Sequence, residues 1–131
     1  MVERELRTGS RTDFVDATGL VTEAVHELGV INGVVVVFNP HTTAAVTINE
    51  GADPDVVRDM SVALERIVPW QDGYHHAEGN AAAHIKASMF GSSVTVIVQD
   101  GRLQLGTWQK VWFCEFDGPR RRRLWVQELA P

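Results

Sequence analysis

The sequence predicts an α+β sandwich with a mostly antiparallel sheet and about three helices. Three observations carry this. The helix-like and strand-like stretches follow one another as two strands, a helix, two strands, two helices and four strands, which is no regular βαβ alternation. The late strand-like runs alternate apolar and polar residues at period two. Asp100-Gly101 is a type I′ hairpin signal, and such a turn joins antiparallel neighbours.

From the N-terminus, Glu3–Arg7 and Thr12–Asp16 read as short strands around the turn-forming Gly9-Ser10. Thr18 is an N-cap candidate for a helix whose apolar face is Val21, Ala24, Val25 and Leu28, at three- and four-residue spacing. Gly29 closes it, and His26 falls off the stripe towards solvent. VVVVF after Gly33 is apolar on both faces and reads as a central buried strand. Asn39-Pro40 stops it, because proline cannot donate to a ladder.

Ala44–Asn49 is the next strand. Asp53-Pro54, a cap followed by a first-turn proline, opens the longest helix. Its apolar face is Val57, Met60, Leu64 and Ile67, and Pro69 ends it. Asn80 suits the N-cap of a third helix, Ala81, Ala82 and Ala83 favour helix, and Gly91 suits a left-handed stop. Ser93–Gln99 sets Val94, Val96 and Val98 on one face, and Arg102–Leu105 pairs back. Lys110–Phe116 is a further strand. Asp117-Gly118-Pro119 turns the chain, and Arg121–Glu128 returns as the last strand.

With 131 residues, the chain reads as one domain over 1–131, long enough for a substantial core. A net charge of −5 is not that of a protein built to coat nucleic acid or an anionic membrane. The single cysteine, Cys114, excludes an internal disulfide and alternates with Trp112 and Phe116, as a packed thiol would. No apolar run nears spanning length and no signal peptide is visible, so a reducing, cytoplasmic location fits.

Chemistry-bearing residues concentrate in GYHHAEGNAAAHIKASMFG, from Gly73 to Gly91. His75, His76 and Glu78 lie on a loop that feeds a helix start, and His84 and Lys86 sit just inside that helix. Imidazoles, a carboxylate and free amides together suit a divalent metal, a phosphate or both. The plainer alternative makes Asn80 a cap and His84 a surface residue. His41, with Thr42 and Thr43, sits at a strand end, either facing a cleft or closing a turn. Glu50 is a metal-ligand or general-base candidate. Gln104, Thr107 and Gln109 around Trp108 suit a heteroaromatic ring or anionic oxygens; the alternative is a β-bulge with Trp108 in the core. Arg120 to Arg123 reads either as a protected exposed edge or as a phosphate contact, with Arg121 and Arg123 on one face and Arg122 on the other. Dinucleotide, P-loop and nucleophile-elbow patterns are absent.

Three ordered stretches, HTTAAVTINEGADPDV, YHHAEGNAAAHIKASMFGSS and GRLQLGTWQKVWFCEFDGPRRRR, resemble the YjbQ family, also called UPF0047, over nearly the whole chain. The resemblance implies a small α+β protein that forms a homotrimer. It implies a thiamine-phosphate synthase-like transferase, joining hydroxymethylpyrimidine diphosphate to a thiazole phosphate with release of diphosphate. It also implies a histidine cluster that binds phosphate, a divalent metal (Zn or Mg) or both. By position, the family's His-Thr-Ser/Thr falls on His41, Thr42 and Thr43, its Asn-Glu on Asn49 and Glu50, and its Asp-Pro on Asp53 and Pro54. Tyr-x-His-x-Glu-Gly-Asn fits Tyr74 to Asn80, which selects His76 over His75. Ala-His-Ile-Lys falls on Ala83 to Lys86, and Leu-Gly-Thr-Trp-Gln on Leu105 to Gln109.

On this resemblance His41, His76 and His84 are the metal or phosphate ligands. Glu50, His76 and Lys86 are the catalytic candidates. Thr42, Thr43, Asn49, Asn80, Gln104, Thr107 and Gln109 are the substrate contacts. Many members carry two aspartates after Glu-Gly where this chain has Asn80 and Ala81, which weakens any metal site that needs them. Two alternatives stay open: a trimeric metal- or phosphate-binding protein without that activity, and a metal-assisted hydrolase.

Overall fold

The computed structural model describes residues 1–130. Eight strands and three helices occur in the expected order among them: β1 (Val2–Arg7), β2 (Asp13–Asp16), α1 (Thr18–Leu28), β3 (Gly33–Phe38), β4 (Ala44–Glu50), α2 (Pro54–Ile67), α3 (Ala81–Phe90), β5 (Ser93–Gln99), β6 (Arg102–Leu103), β7 (Gln109–Glu115) and β8 (Arg121–Glu128). They form a five-stranded sheet, β1-β8-β3-β5-β6, and a three-stranded sheet, β2-β7-β4. Each pairing is antiparallel.

Period-two alternation gives the smaller sheet two different faces. Val46, Val111 and Phe113 turn towards the larger sheet and join Val35, Val37, Val96, Leu124, Val126 and the inner face of α1 in the main core. Ala45, Cys114 and Phe116 turn the other way and pack with Leu64 of α2 and with Ala83 and Ala87 of α3. The alanines let α3 lie close to β4, and this fixes where the functional side chains of α3 emerge. Phe113 is fully buried; truncating such a phenylalanine costs about 3–5 kcal/mol.

Several local details differ from the sequence reading, each for a physical reason. Ala17, not Thr18, occupies the N-cap of α1, with no side-chain cap bond. The Thr18 hydroxyl accepts instead from the Val111 amide, tying α1 to β7. Ile67 of α2 is exposed, and Leu64 is its only fully packed residue among those described. Gly91 has positive φ (95°) but ψ of 169°, outside the left-handed helical well. β6 ends at Leu103. β3 is central, yet only its Val35/Val37 face is buried; Phe38 faces outward and stacks on Trp125. β8 lies between β1 and β3, but β3 pairs only with Trp125–Glu128; Arg121–Arg123 pair with β1 alone, and the Arg123 amide turns to His41. The Asp100-Gly101 turn has both φ values positive (52° and 73°), as its type requires.

Candidate functional site

Asn39-Pro40 ends β3, and the Asn39 side chain shapes the loop beyond it. That buried side chain donates to the carbonyls of His41 (3.1 Å) and Ala44 (2.6 Å) and accepts from the His41 amide (3.1 Å). The loop carrying His41 is therefore braced. The ring of His41 stands edge-on to Phe113, and its Nε2 accepts from the Arg123 amide at 2.9 Å. A neutral imidazole that accepts through Nε2 carries its proton on Nδ1. Burial first, then the Arg122 and Arg123 guanidinium charges, hold His41 below the usual histidine pKa. At neutral pH it is thus an uncharged donor through Nδ1, with no lone pair left for a metal. Its expected place in the metal set is withdrawn on this geometry.

His76 and His84 do come together. The loop brings His76 back over the first turn of α3, and the two rings sit edge to face with centroids 5.2 Å apart. Two imidazoles on one tetrahedral zinc, at about 2.0–2.1 Å each, place their centroids about 5 Å apart, so the spacing suits half of a zinc site, as it does an ordinary edge-to-face ring pair. It does not fit magnesium, which takes oxygen ligands. Among the described residues no group of three or more His, Cys, Asp or Glu side chains is placed to hold a metal. Any third ligand comes from outside this set.

Two cavities flank the His41–Thr42 loop. One, of about 530 Å³, is lined by His41, Thr42, His84 and Ser88, with Gly91 and Ser92 at its end. The other, of about 310 Å³, runs from His41 and Thr42 to Glu78, Asn80, Arg120 and Arg122. Asn80 holds the N-cap position of α3 but caps nothing with its side chain. Its amide donates to Asp117 at 2.9 Å, and its Oδ1 is buried without a partner among the described residues.

Under this second cavity lies an ion-pair network that sequence reasoning missed. Arg122 donates through Nε to Glu115 (2.8 Å), through Nη2 to the other oxygen of Glu115, and through Nη2 to the Thr43 hydroxyl (2.8 Å). Thr8 donates to Glu115 at 2.7 Å. Both charges are buried. The signal was there in part: Arg122 alternates away from Arg121 and Arg123, and Glu115 is a lone carboxylate on an apolar strand.

The other expected site residues lie elsewhere. Lys86 is two positions beyond His84, about 200° around the helix. It is buried, and its ammonium meets Glu65 of α2 at 3.1 Å. Burial works to raise the Glu65 carboxyl, but the Lys86 and Trp70 donors outweigh it and leave the pKa lowered. Asn49 and Glu50 end β4, about 20 Å along the strand from Ala44 at the histidine end. Glu50 accepts from the Ala52 amide, and Asn49 from the Glu50 amide.

Gln109 pairs with Glu50, and its side chain braces the Gly106 amide at 2.8 Å. Gln104 and Thr107 are exposed on the loop leading to β7. Trp108 is 64% exposed, so it is no core residue. Apart from Lys86, the expected residues thus form two groups, at opposite ends of the small sheet.

Burial alone pushes the Cys114 thiol well above its ordinary pKa, so it is no nucleophile. No helix among the described residues is long and apolar enough to cross a membrane.

Comparison with known proteins gives a consistent result. Residues 2–130 match the family described as UPF0047 protein YjbQ-like. The chain is 46% identical over 127 residues to the UPF0047 protein YugU of Bacillus subtilis, covering 96% of each. It is 46% identical over 126 residues to a UPF0047 protein of Methanocaldococcus jannaschii, covering 96% of this chain and 91% of the relative. A crystal structure of an uncharacterized YjbQ/UPF0047 protein from Clostridium acetobutylicum superposes with a TM-score of 0.95 at 52% identity, over 98% of this chain and 100% of that one. These names give a family and no activity.

Proposed function

We propose a phosphate-handling transferase function for this chain, which belongs to the UPF0047 protein YjbQ-like family. The substrates proposed are those implied by the resemblance: hydroxymethylpyrimidine diphosphate and a thiazole phosphate. In that reaction the carbon–oxygen bond to diphosphate breaks, and diphosphate leaves with the bonding pair. The thiazole nitrogen forms the new bond to that carbon. Catalysis then consists in holding the leaving oxygens against donors that strengthen as their charge grows.

The observation that carries the reading is the pairing of His76 with His84, beside a cavity that His84 shares with His41. His41, neutral and fixed by the Arg123 amide, supplies a hydrogen bond through Nδ1. His76 and His84 present two imidazoles that would hold an ion of the zinc type, and such an ion would neutralise anionic oxygen.

We further propose that the working unit is an oligomer, a homotrimer on the resemblance. Glu50, Asn49, Gln104, Thr107 and Gln109 lie too far along the sheet to join the histidines within one copy, so a neighbour would have to bring them. The outer face of the larger sheet supports assembly, since Phe38, Ile97 and Trp125 leave apolar surface in solvent. Light scattering that gives a monomer would remove this part of the reading.

The direct test is thiamine phosphate formation by the purified protein and by His76→Ala. Equal rates would exclude the histidine pair, and no formation by either would exclude the activity. The second reading, a metal- or phosphate-binding protein without that activity, is favoured by one observation: Lys86, expected near diphosphate, is engaged with Glu65 instead.

A further inference from the structure

We infer that the cavity on the arginine side of His41 is a separate phosphate subsite, which selects a protonated phosphate over a fully ionised oxyanion. It deepens the proposed function and rests on that reading only in assigning both cavities to one ligand-binding region.

The donors are two arginines, one from β8 and one just before it. The Arg122 side chain is only 5% exposed, and its Nε and Nη2 are committed to Glu115 and Thr43. Its Nη1 has no partner among the described residues, and the side chain lines the cavity. Arg120 spends its Nε and Nη2 on Asp117, which likewise leaves Nη1 over.

The acceptors decide which anion. The two guanidinium charges are each matched by a carboxylate, Arg122 by Glu115 and Arg120 by Asp117, so the cavity is not a bare positive patch. It also offers the exposed Glu78 carboxylate as an acceptor. A carboxylate that faces an anion costs free energy unless a hydrogen-bond donor lies between them. Hydrogen phosphate or a phosphate monoester monoanion brings an O–H. Sulfate at neutral pH brings none and would leave that acceptor facing oxygen. His41 and Thr42 line both cavities, so a ligand with phosphate here can reach the imidazole pair with its other end.

The test is calorimetric titration of the full chain with inorganic phosphate and, separately, with sulfate. Proton–nitrogen correlation spectra would be recorded alongside. Phosphate is expected to bind about tenfold more tightly than sulfate, and Arg120→Gln to weaken it about tenfold, while His26→Ala, exposed on α1, leaves it unchanged. On phosphate addition the amides of Glu78 and Asn80, which line the cavity, should move. No phosphate binding up to about 10 mM overturns the inference, as does equal affinity for sulfate. So does binding lost in His84→Ala and kept in Arg120→Gln, or amide movement at Ser88 and Gly91 in place of Glu78 and Asn80. If phosphate binds as expected but no thiamine phosphate forms, the subsite stands and the transferase reading fails. If thiamine phosphate forms while phosphate binding depends on His84 alone, the reverse holds.

Discussion

The rings of His76 and His84 meet edge to face with centroids 5.2 Å apart, one from a loop and one from the first turn of α3. That spacing matches two ligands on one zinc ion, whereas His41 has its Nε2 filled by the Arg123 amide. Zinc affinity, measured by chelator competition, should fall at least about tenfold in His76→Ala and in His84→Ala. His41→Ala should change it little, and magnesium should not compete. An equal loss in His41→Ala would show that the third imidazole joins the ion after all.

The fold was readable because period and punctuation agreed. VVVVF, the alternation in Ser93–Gln99 and the Asp100-Gly101 turn each specify local geometry, and the element order comes from them. What stayed hidden was direction. AAAHIKASMF is apolar or small nearly all round, so nothing in it reveals that His84 faces a cavity while Lys86 faces α2. Burial of Arg122 results from its side chain reaching Glu115 of β7 and Thr43, long-range contacts that no local pattern encodes. The histidine pair was suggested by density of residue type. The separation of Glu50 from it depends on strand length within a tertiary frame.

Stability should fall as the pH drops below neutrality, in part through His41. Its folded pKa is lowered, so the unfolded chain takes up the proton first. Stability is then full above the unfolded value of about 6.5 and is lost as pH falls from there towards the lower folded value. Urea melts at pH 7.5 and at pH 5.5 should differ less for His41→Gln than for the parent protein. An identical difference would show that His41 contributes nothing to the slope.

Cys114 should be inert while the protein is folded. Its sulfur is fully buried among Ala45, Leu64, Phe116 and their neighbours, and burial holds the thiol protonated. A thiol reagent at pH 8 should react only at the rate of global unfolding, and promptly in denaturant. Rapid labelling of native protein would contradict the packing described.

Breaking the Arg122–Glu115 pair from one side should be costly. Glu115→Gln leaves a buried guanidinium without its counter-charge, and the expected loss is about 3–5 kcal/mol in denaturant unfolding. Replacing both with apolar residues of similar size should cost less than the sum of the single changes, because no charge is then stranded. Additive losses would mean that the two residues act independently.

Lys86 offers an asymmetric test of where it belongs. Its side chain is 2% exposed, while that of Glu65 is 54% exposed. Lys86→Met removes the desolvated charge and returns a solvated carboxylate to water. Glu65→Ala strands the ammonium in the interface and also deprives the Trp70 amide of its acceptor. Glu65→Ala should therefore destabilise more than Lys86→Met, by at least about 1 kcal/mol. Phosphate binding should survive Lys86→Met, since the residue faces α2 and lines neither cavity. If Lys86→Met abolishes phosphate binding at an unchanged melting temperature, the ammonium leaves Glu65 when ligand arrives, and Lys86 returns to the site that the family motif assigns it.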